Sequence, residues 1–299
     1  MTDTELYPDF KSLNKIINIL DHEKIKIKTQ NVNSLSGIYK SKYKSSGLIF
    51  DNIRKYQFGD DKRAIDWKAS ARTGKLHVKE FIEERNTELV IAVNNSSEMF
   101  FASKYKFKSY LAIEVFAFIA SLALSHHDYI TPLIFNSDID KNFYTKTNNK
   151  KSLYYVLNKI ITSSHSKENY LSNINVFSEL RKRKLSGKNI FIILPILYDF
   201  NDEYKTIIKQ LAKNNQLNIF FVWDDLESNL PSLQDFEISN IKNRGFLLNT
   251  ADIKSKKYSE FFKNKFYEID TFLNLNQIKH LFLNTKDDAF INLLSFFRD

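Results

Sequence analysis

LVIAV, residues 89–93, is the stretch on which the fold turns. A strand with one wet face alternates apolar and polar residues. An unbroken apolar run marks a strand covered on both faces. Three further runs share this character: YITPLIF (129–135), NIFIIL (189–194) and LNIFFVW (217–223). Between them lie segments with helical apolar spacing, at Lys108–Ser125 and at 151–161, 176–185 and 202–213. Strands alternating with helices imply right-handed crossovers and a parallel sheet. The expected fold class is therefore α/β, with a doubly wound, mostly parallel sheet. A short hairpin is expected around 136–144. The tail from residue 253 reads as helical and polar with a spaced apolar face, and 281–283 offers a further edge strand.

Upstream of residue 88 the pattern is different. Leu13, Ile16, Ile17 and Leu20 form a helical face, IKIKT (25–29) alternates as a short strand, and 30–46 is a polar loop. The expected boundary falls near Thr87. Residues 1–87 form an N-terminal, largely irregular α+β segment, and 88–299 form the sheet domain with its helical C-terminal tail.

Composition narrows the function classes. The chain has 299 residues, 43% of them hydrophobic, which is enough for a substantial core. It has no cysteine, which excludes disulfides, thiolate metal sites and a catalytic thiol, and fits a reducing compartment. MTDTELYPDF lacks the basic start and apolar core of a signal peptide. The longest apolar run, 115–124, is shorter than the roughly 20 residues of a bilayer span. The expectation is a soluble, cytoplasmic protein without a direct membrane span. The net charge of +9 comes from lysines scattered along the chain rather than gathered on one element, which favours a solvated surface over a nucleic-acid footprint.

Few motifs carry chemistry. There is no Gly-rich phosphate loop and no serine nucleophile elbow. His126 and His127 fall at a helix end, while His22, His77, His165 and His280 have no carboxylate or histidine at ligand spacing. LVIAV runs into Asn94-Asn95-Ser96-Ser97-Glu98. Asn94, Ser96 and Glu98 alternate, and such a set either holds a hard divalent cation through oxygens or simply caps the next helix. Asp224-Asp225 follow the fourth strand as a cap or turn.

Four of the eight arginines, Arg54, Arg63, Arg72 and Arg85, fall within 32 residues that also hold Trp67, Gly59 and Gly74. Phe58-Gly59-Asp60-Asp61 reads as a turn. Arg54, Arg63 and Arg72 alternate with Asp51, Asp60, Asp61 and Asp66. Guanidinium–carboxylate pairs of this kind form an internal network that holds an irregular segment, or a rigid face for an acidic partner.

FDNIRKYQFGDDKRAIDWKASARTGKLHVKEFIEER (50–85) resembles the signature of the domain-of-unknown-function 58 family. The resemblance rests on Phe50, Arg54, Tyr56, Gly59, Asp60, Asp61, Arg63, Ile65, Asp66, Trp67, Ser70, Ala71, Arg72, Leu76, Val78, Lys79, Phe81, Glu84 and Arg85. Ile49 stands where the family usually has glutamate. The resemblance implies a von Willebrand factor A-like domain after the signature. It also implies a metal-ion-dependent adhesion site, of pattern D-x-S-x-S, after the first strand. Asn94, Ser96 and Glu98 occupy those positions, so only the first serine is kept and the Mg²⁺ site is degenerate. The Ser-Asp pair that ends the family's third strand is replaced by Leu194-Pro195, with Asp199 further on.

The resemblance further implies a non-enzymatic, chaperone-like adaptor. Its partners would be a MoxR-type AAA+ ATPase and other von Willebrand A proteins, and its task the assembly or maturation of other proteins. On that reading Arg54, Tyr56, Gly59, Asp60, Asp61, Arg63, Asp66, Trp67, Arg72, Lys79, Glu84 and Arg85 form the signature network or the partner surface. The alternatives from other classes are a nucleic-acid-binding protein using its basic surface and a metal-dependent hydrolase.

Overall fold

The four apolar runs become four parallel strands in the computed structural model, which describes residues 13, 48–83, 87–103, 105–135, 146–163, 173–228, 236–240, 243–248 and 251–298. They are β3 (Glu88–Asn94), β4 (Tyr129–Phe135), β5 (Asn189–Pro195) and β6 (Gln216–Trp223). A fifth strand, β9 (Lys279–Asn284), pairs in parallel with β6. The order across the sheet is β4-β3-β5-β6-β9. The fold is a doubly wound α/β sheet.

Side-chain alternation along β3 shows why both faces had to be apolar. Leu89, Ile91 and Val93 pack with α2 (Lys108–Ser125), α3 (Lys150–Ser163) and α8 (Ala289–Arg298). Val90 and Ala92 pack with α4 (Asn173–Lys182), α5 (Asp202–Asn214) and α7 (Ala251–Leu275). The chain leaves β3 toward β4 on one side and returns to β5 on the other. The crevice between the carboxyl ends of β3 and β5 is thus the topological switch point, where open α/β sheets place ligands.

Helix α2 is long and apolar enough to cross a membrane by length and composition, yet 83% of it is buried within the protein. A helix apolar all round is a core helix once it is covered on every side. Leu13 is helical and buried in the same cluster. The hairpin of β7 (Phe236–Asn240) and β8 (Asn243–Leu248) was not expected from the sequence. The expected strand at 25–29 and hairpin at 136–144 lie outside the described residues, as do Ile16, Ile17 and Leu20.

Backbone contacts divide the chain into Ser36–Asn86 and a second unit made of Met1–Leu35 with Thr87–Asp299. The α+β character of the smaller unit rests on three elements. Strands β1 (Leu48–Lys55) and β2 (His77–Glu83) pair antiparallel, and α1 (Trp67–Thr73) lies between them in sequence. Helix α1 is closed at both ends. Asp66 accepts a hydrogen bond from the Ala69 N–H at 3.0 Å, and Gly74 terminates the helix at φ 71°, a left-handed conformation that suits glycine.

Candidate functional site

Two places gather the residues singled out by sequence. The first is the signature, in the smaller unit. Arg54 grips Asp60 with both guanidinium nitrogens, at 2.6 and 2.8 Å, and the same carboxylate accepts the Gln57 N–H at 2.8 Å. This bidentate pair clamps the Phe58-Gly59 turn, where Gly59 sits at φ 103°. Asp61 caps the 3-10 turn Lys62–Ala64 by accepting the Arg63 N–H. The Ala69 N–H bond holds the Asp66 carboxyl below its ordinary range against partial burial, and Lys79, at 3.8 Å, acts in the same direction. Ser70, which is buried, donates to the Asp66 carbonyl and accepts the His77 N–H. Tyr56 ties β1 to the start of β2 through its N–H to the Leu76 carbonyl.

Of the three arginines of the expected network, Arg54 is the one that pairs among the described residues. Arg63 and Arg72 are exposed and make no ion pair among the described residues. The physical reason is that Asp61 and Asp66 serve as backbone caps, which points their oxygens at amides rather than at guanidinium groups. The Asp51, Glu84 and Arg85 side chains lie outside the described residues. What remains is a rigid turn and helix that turns Asp60 and Asp66 inward and leaves Lys55, Lys62, Arg63, Lys68, Arg72 and Lys75 exposed. Phe58 is fully exposed, Trp67 is 68% exposed, and Leu76 is exposed as well.

The second place is the carboxyl end of the sheet. Asn94 ends β3 and Ser96 follows it, both buried, and the Asn94 Oδ1 accepts the Ser96 N–H at 2.8 Å. The Ser96 Oγ is buried without a hydrogen-bond partner among the described residues. Burial pushes the Glu98 carboxyl up, opposed by the positive charge of Lys108 and reinforced by Glu227. Lys108 opens α2 with its side chain only 3% exposed, and its Nζ lies 2.6 Å from Glu227 Oε1. The Phe101 ring lies 5.7 Å from that ammonium. Glu227 sits in the short helix α6 (Asp225–Ser228) after β6, so the pair bridges residues 119 apart in sequence. Removing one partner from a pair so buried costs about 3–5 kcal/mol.

Asp224 anchors the same end. It is fully buried and accepts from the Leu226 N–H at 3.0 Å, the Ser103 N–H at 3.2 Å and the Thr285 Oγ at 2.6 Å. Burial pushes its carboxyl up, but these hydrogen bonds prevail and hold it below its ordinary range. The cap reading of Asp224-Asp225 is thus half of the story, since Asp224 also fastens loops after β3 and β9. Burial, with the charge of Glu227, raises Tyr198, which shares hydrogen bonds with Glu227 and with Tyr258 of α7.

The donor set does not fit a hard divalent ion, which takes six or more oxygens. The Asn94 oxygen already accepts a backbone N–H, and the one acid of the motif, Glu98, is half-buried and within electrostatic reach of an ammonium. Among the described residues no group of three or more His, Cys, Asp or Glu is placed to hold a metal. Lys108 and Glu227 were not found from the sequence. The available signal was a lysine at the first position of an otherwise apolar helix. His280 does have a carboxylate, contrary to expectation: its Nε2 lies 2.9 Å from Asp270 Oδ1, a pairing between β9 and α7.

Residues 52–264, well over half of the chain, match the family model described as protein of unknown function DUF58. An uncharacterized protein of Mycobacterium tuberculosis, Rv1480, is 23% identical over 192 residues, covering 64% of this chain and 59% of that protein. A nucleomorph tubulin gamma chain of Guillardia theta is 26% identical over 156 residues, 46% of this chain and 36% of its own length. The chain thus spans between about a third and three fifths of these curated relatives. A conserved hypothetical protein, BatB, from Bacteroides thetaiotaomicron superposes with a TM-score of 0.40 and 12% identity, over 70% of this chain and 96% of that one. The family model covers both the Arg54–Asp60 clamp and the carboxyl ends of β3, β5 and β6, and on that match the chain belongs to the DUF58 family.

Proposed function

We propose that the chain is a non-enzymatic interaction module that works in the cytoplasm with a MoxR-type AAA+ ATPase, in the assembly or maturation of other proteins. One observation carries this reading. The signature spends Asp60, Asp61 and Asp66 on an internal clamp and caps while presenting Trp67, Phe58, Arg63 and Arg72 to solvent. Trp and Arg are the side chains that most often dominate binding energy at protein interfaces. Their scaffold is fixed before binding, so little ordering entropy is lost on contact. With Lys55, Lys62, Lys68 and Lys75, the two arginines make six exposed cations that complement an acidic partner surface. The ATPase partner comes from the family resemblance, and the cytoplasmic setting from the composition and the short apolar run at 115–124, with which the burial of α2 is consistent.

The test is co-purification of the full chain with the MoxR-type ATPase of the same organism. Trp67→Ala and Arg63→Glu are each expected to weaken capture about 10-fold or more, the worth of about 1.4 kcal/mol, with circular dichroism and thermal midpoint unchanged. Capture by both variants at the wild-type level removes the signature as the contact surface. No capture of wild type removes the ATPase. Binding to DNA or RNA that collapses between 50 and 200 mM salt would transfer the basic surface to nucleic acid.

A further inference from the structure

We infer that the Lys108 ammonium is a tethered replacement for the divalent cation of an adhesion-type site, so that the carboxyl-end crevice of this sheet is permanently charged and independent of metal.

The resemblance places a metal at this crevice, and the residues present a cation of another kind. Lys108 occupies the first position of α2, the end of a helix where the backbone dipole is positive and disfavours a cation. The helix has no side-chain cap and no acidic residue in its first turn to offset this. Its ammonium is nevertheless almost wholly buried. An ammonium is tolerated in such a place only when fixed anions surround it. Glu227 supplies a charge-assisted hydrogen bond at 2.6 Å, the Phe101 ring faces it at 5.7 Å, and Glu98 adds a second carboxyl close enough to interact electrostatically.

The anions come from two different strand ends. Glu98 follows β3 and Glu227 follows β6, so the ammonium links the loops after two strands that are not neighbours in the sheet. The loop between them is held independently: the Lys108 N–H donates to the Phe101 carbonyl, and the Ser103 N–H donates to Asp224. A divalent ion would meet a positive charge already seated against its acids. The crevice keeps the electrostatic linkage of an adhesion-type site but has no open coordination position through which a partner's carboxylate could join a metal.

The experiment uses the full-length chain and Mn²⁺ as probe, with calorimetry and thermal melts. Wild type is expected to show no Mn²⁺ or Mg²⁺ binding below about 1 mM and no change in melting midpoint with EDTA. Micromolar binding by wild type overturns the inference. Lys108→Met keeps the stem and removes the charge, leaving Glu98 and Glu227 facing each other. This variant is expected to melt lower than wild type. Mn²⁺ at about 100 times its Kd should then raise the midpoint by roughly 5 °C or more, a rise absent from wild type and from Lys108→Arg. A folded Lys108→Met that gains no Mn²⁺ response overturns the inference. If Lys108→Met does not fold, Lys108→Met/Glu227→Gln, which removes both charges, replaces it as the folded reference. That variant is expected to ignore Mn²⁺, and the wild-type titration then decides. None of these readouts involves the ATPase, so failure here and failure of the partner reading are distinguishable.

Discussion

Glu88→Gln is expected to lower stability at neutral pH and to flatten the acid side of the stability profile. Glu88 begins β3 and gathers three donors: Thr131 Oγ at 2.8 Å, Lys188 Nζ at 2.8 Å and Lys146 Nζ at 3.2 Å. Burial pushes its carboxyl up, but the hydrogen bonds from Lys188, Thr131 and Lys146 outweigh this and bring it from 4.5 down to about 2. At about 1.36 kcal/mol per pH unit, the full drop sets an upper bound of about 3.4 kcal/mol. The Lys188 and Lys146 side chains are 33% and 47% exposed, so solvent screening reduces the contribution to about 1–2 kcal/mol. Because the folded-state value lies below the unfolded one, this contribution is complete above about pH 5. It is lost as pH falls from about 4.5 toward 2. Urea unfolding at pH 7, 4 and 2.5 measures it. Wild type and Glu88→Gln should differ by about 1–2 kcal/mol at pH 7, and the gap should shrink to roughly a quarter of that at pH 2.5. Parallel profiles across that range would refute the reasoning.

Two further substitutions probe the two candidate places. Asp60→Asn removes the charge that Arg54 holds by two hydrogen bonds and should loosen the 36–86 unit by about 1–3 kcal/mol. Amide exchange should accelerate in β1 and β2 and stay unchanged in β5 and β6, whereas uniform acceleration would show that the clamp is not local. Asp224→Ala strips the acceptor from Leu226, Ser103 and Thr285 and should cost about 2–4 kcal/mol in urea unfolding. A loss under about 0.5 kcal/mol would mean those donors find water instead.

The sheet was legible in the sequence because strands covered on both faces leave an unbroken apolar run, and β3 to β6 each fall within a residue or two of such a run. Helix α2 was legible for the same reason. The expected helices 151–161 and 176–185 match α3 and α4 with shifted ends, since fraying termini carry little apolar signal. β9 was visible only as 281–283, because an edge strand half open to solvent loses the continuous run. The β7–β8 hairpin lacks both a two-residue turn signal and a long apolar run. Within the sites, Asn94, Ser96 and Glu98 were readable because they follow a recognisable strand. The Lys108–Glu227 pair was not, because it is made by tertiary folding across 119 residues, and a lysine in isolation reads as a solvated charge. The roles of Asp60, Asp61 and Asp66 show the same limit: a clamp and two caps use one residue type, and spacing alone does not tell them apart.

The all-round apolar surface of α2 has a consequence for synthesis on the ribosome. The helix is complete at Ser125, while Leu293 and Phe297 of α8, which cover it, come about 170 residues later. At about 5–20 residues per second, a segment with the composition of a bilayer span waits roughly 10–30 s for its last cover. During that interval a nascent-chain chaperone and the membrane-targeting machinery would compete for the same helix. Crosslinking from α2 in chains stalled before residue 289, compared with released protein, would reveal which of them attends it, and equal protection in both would show that the helix hides without α8.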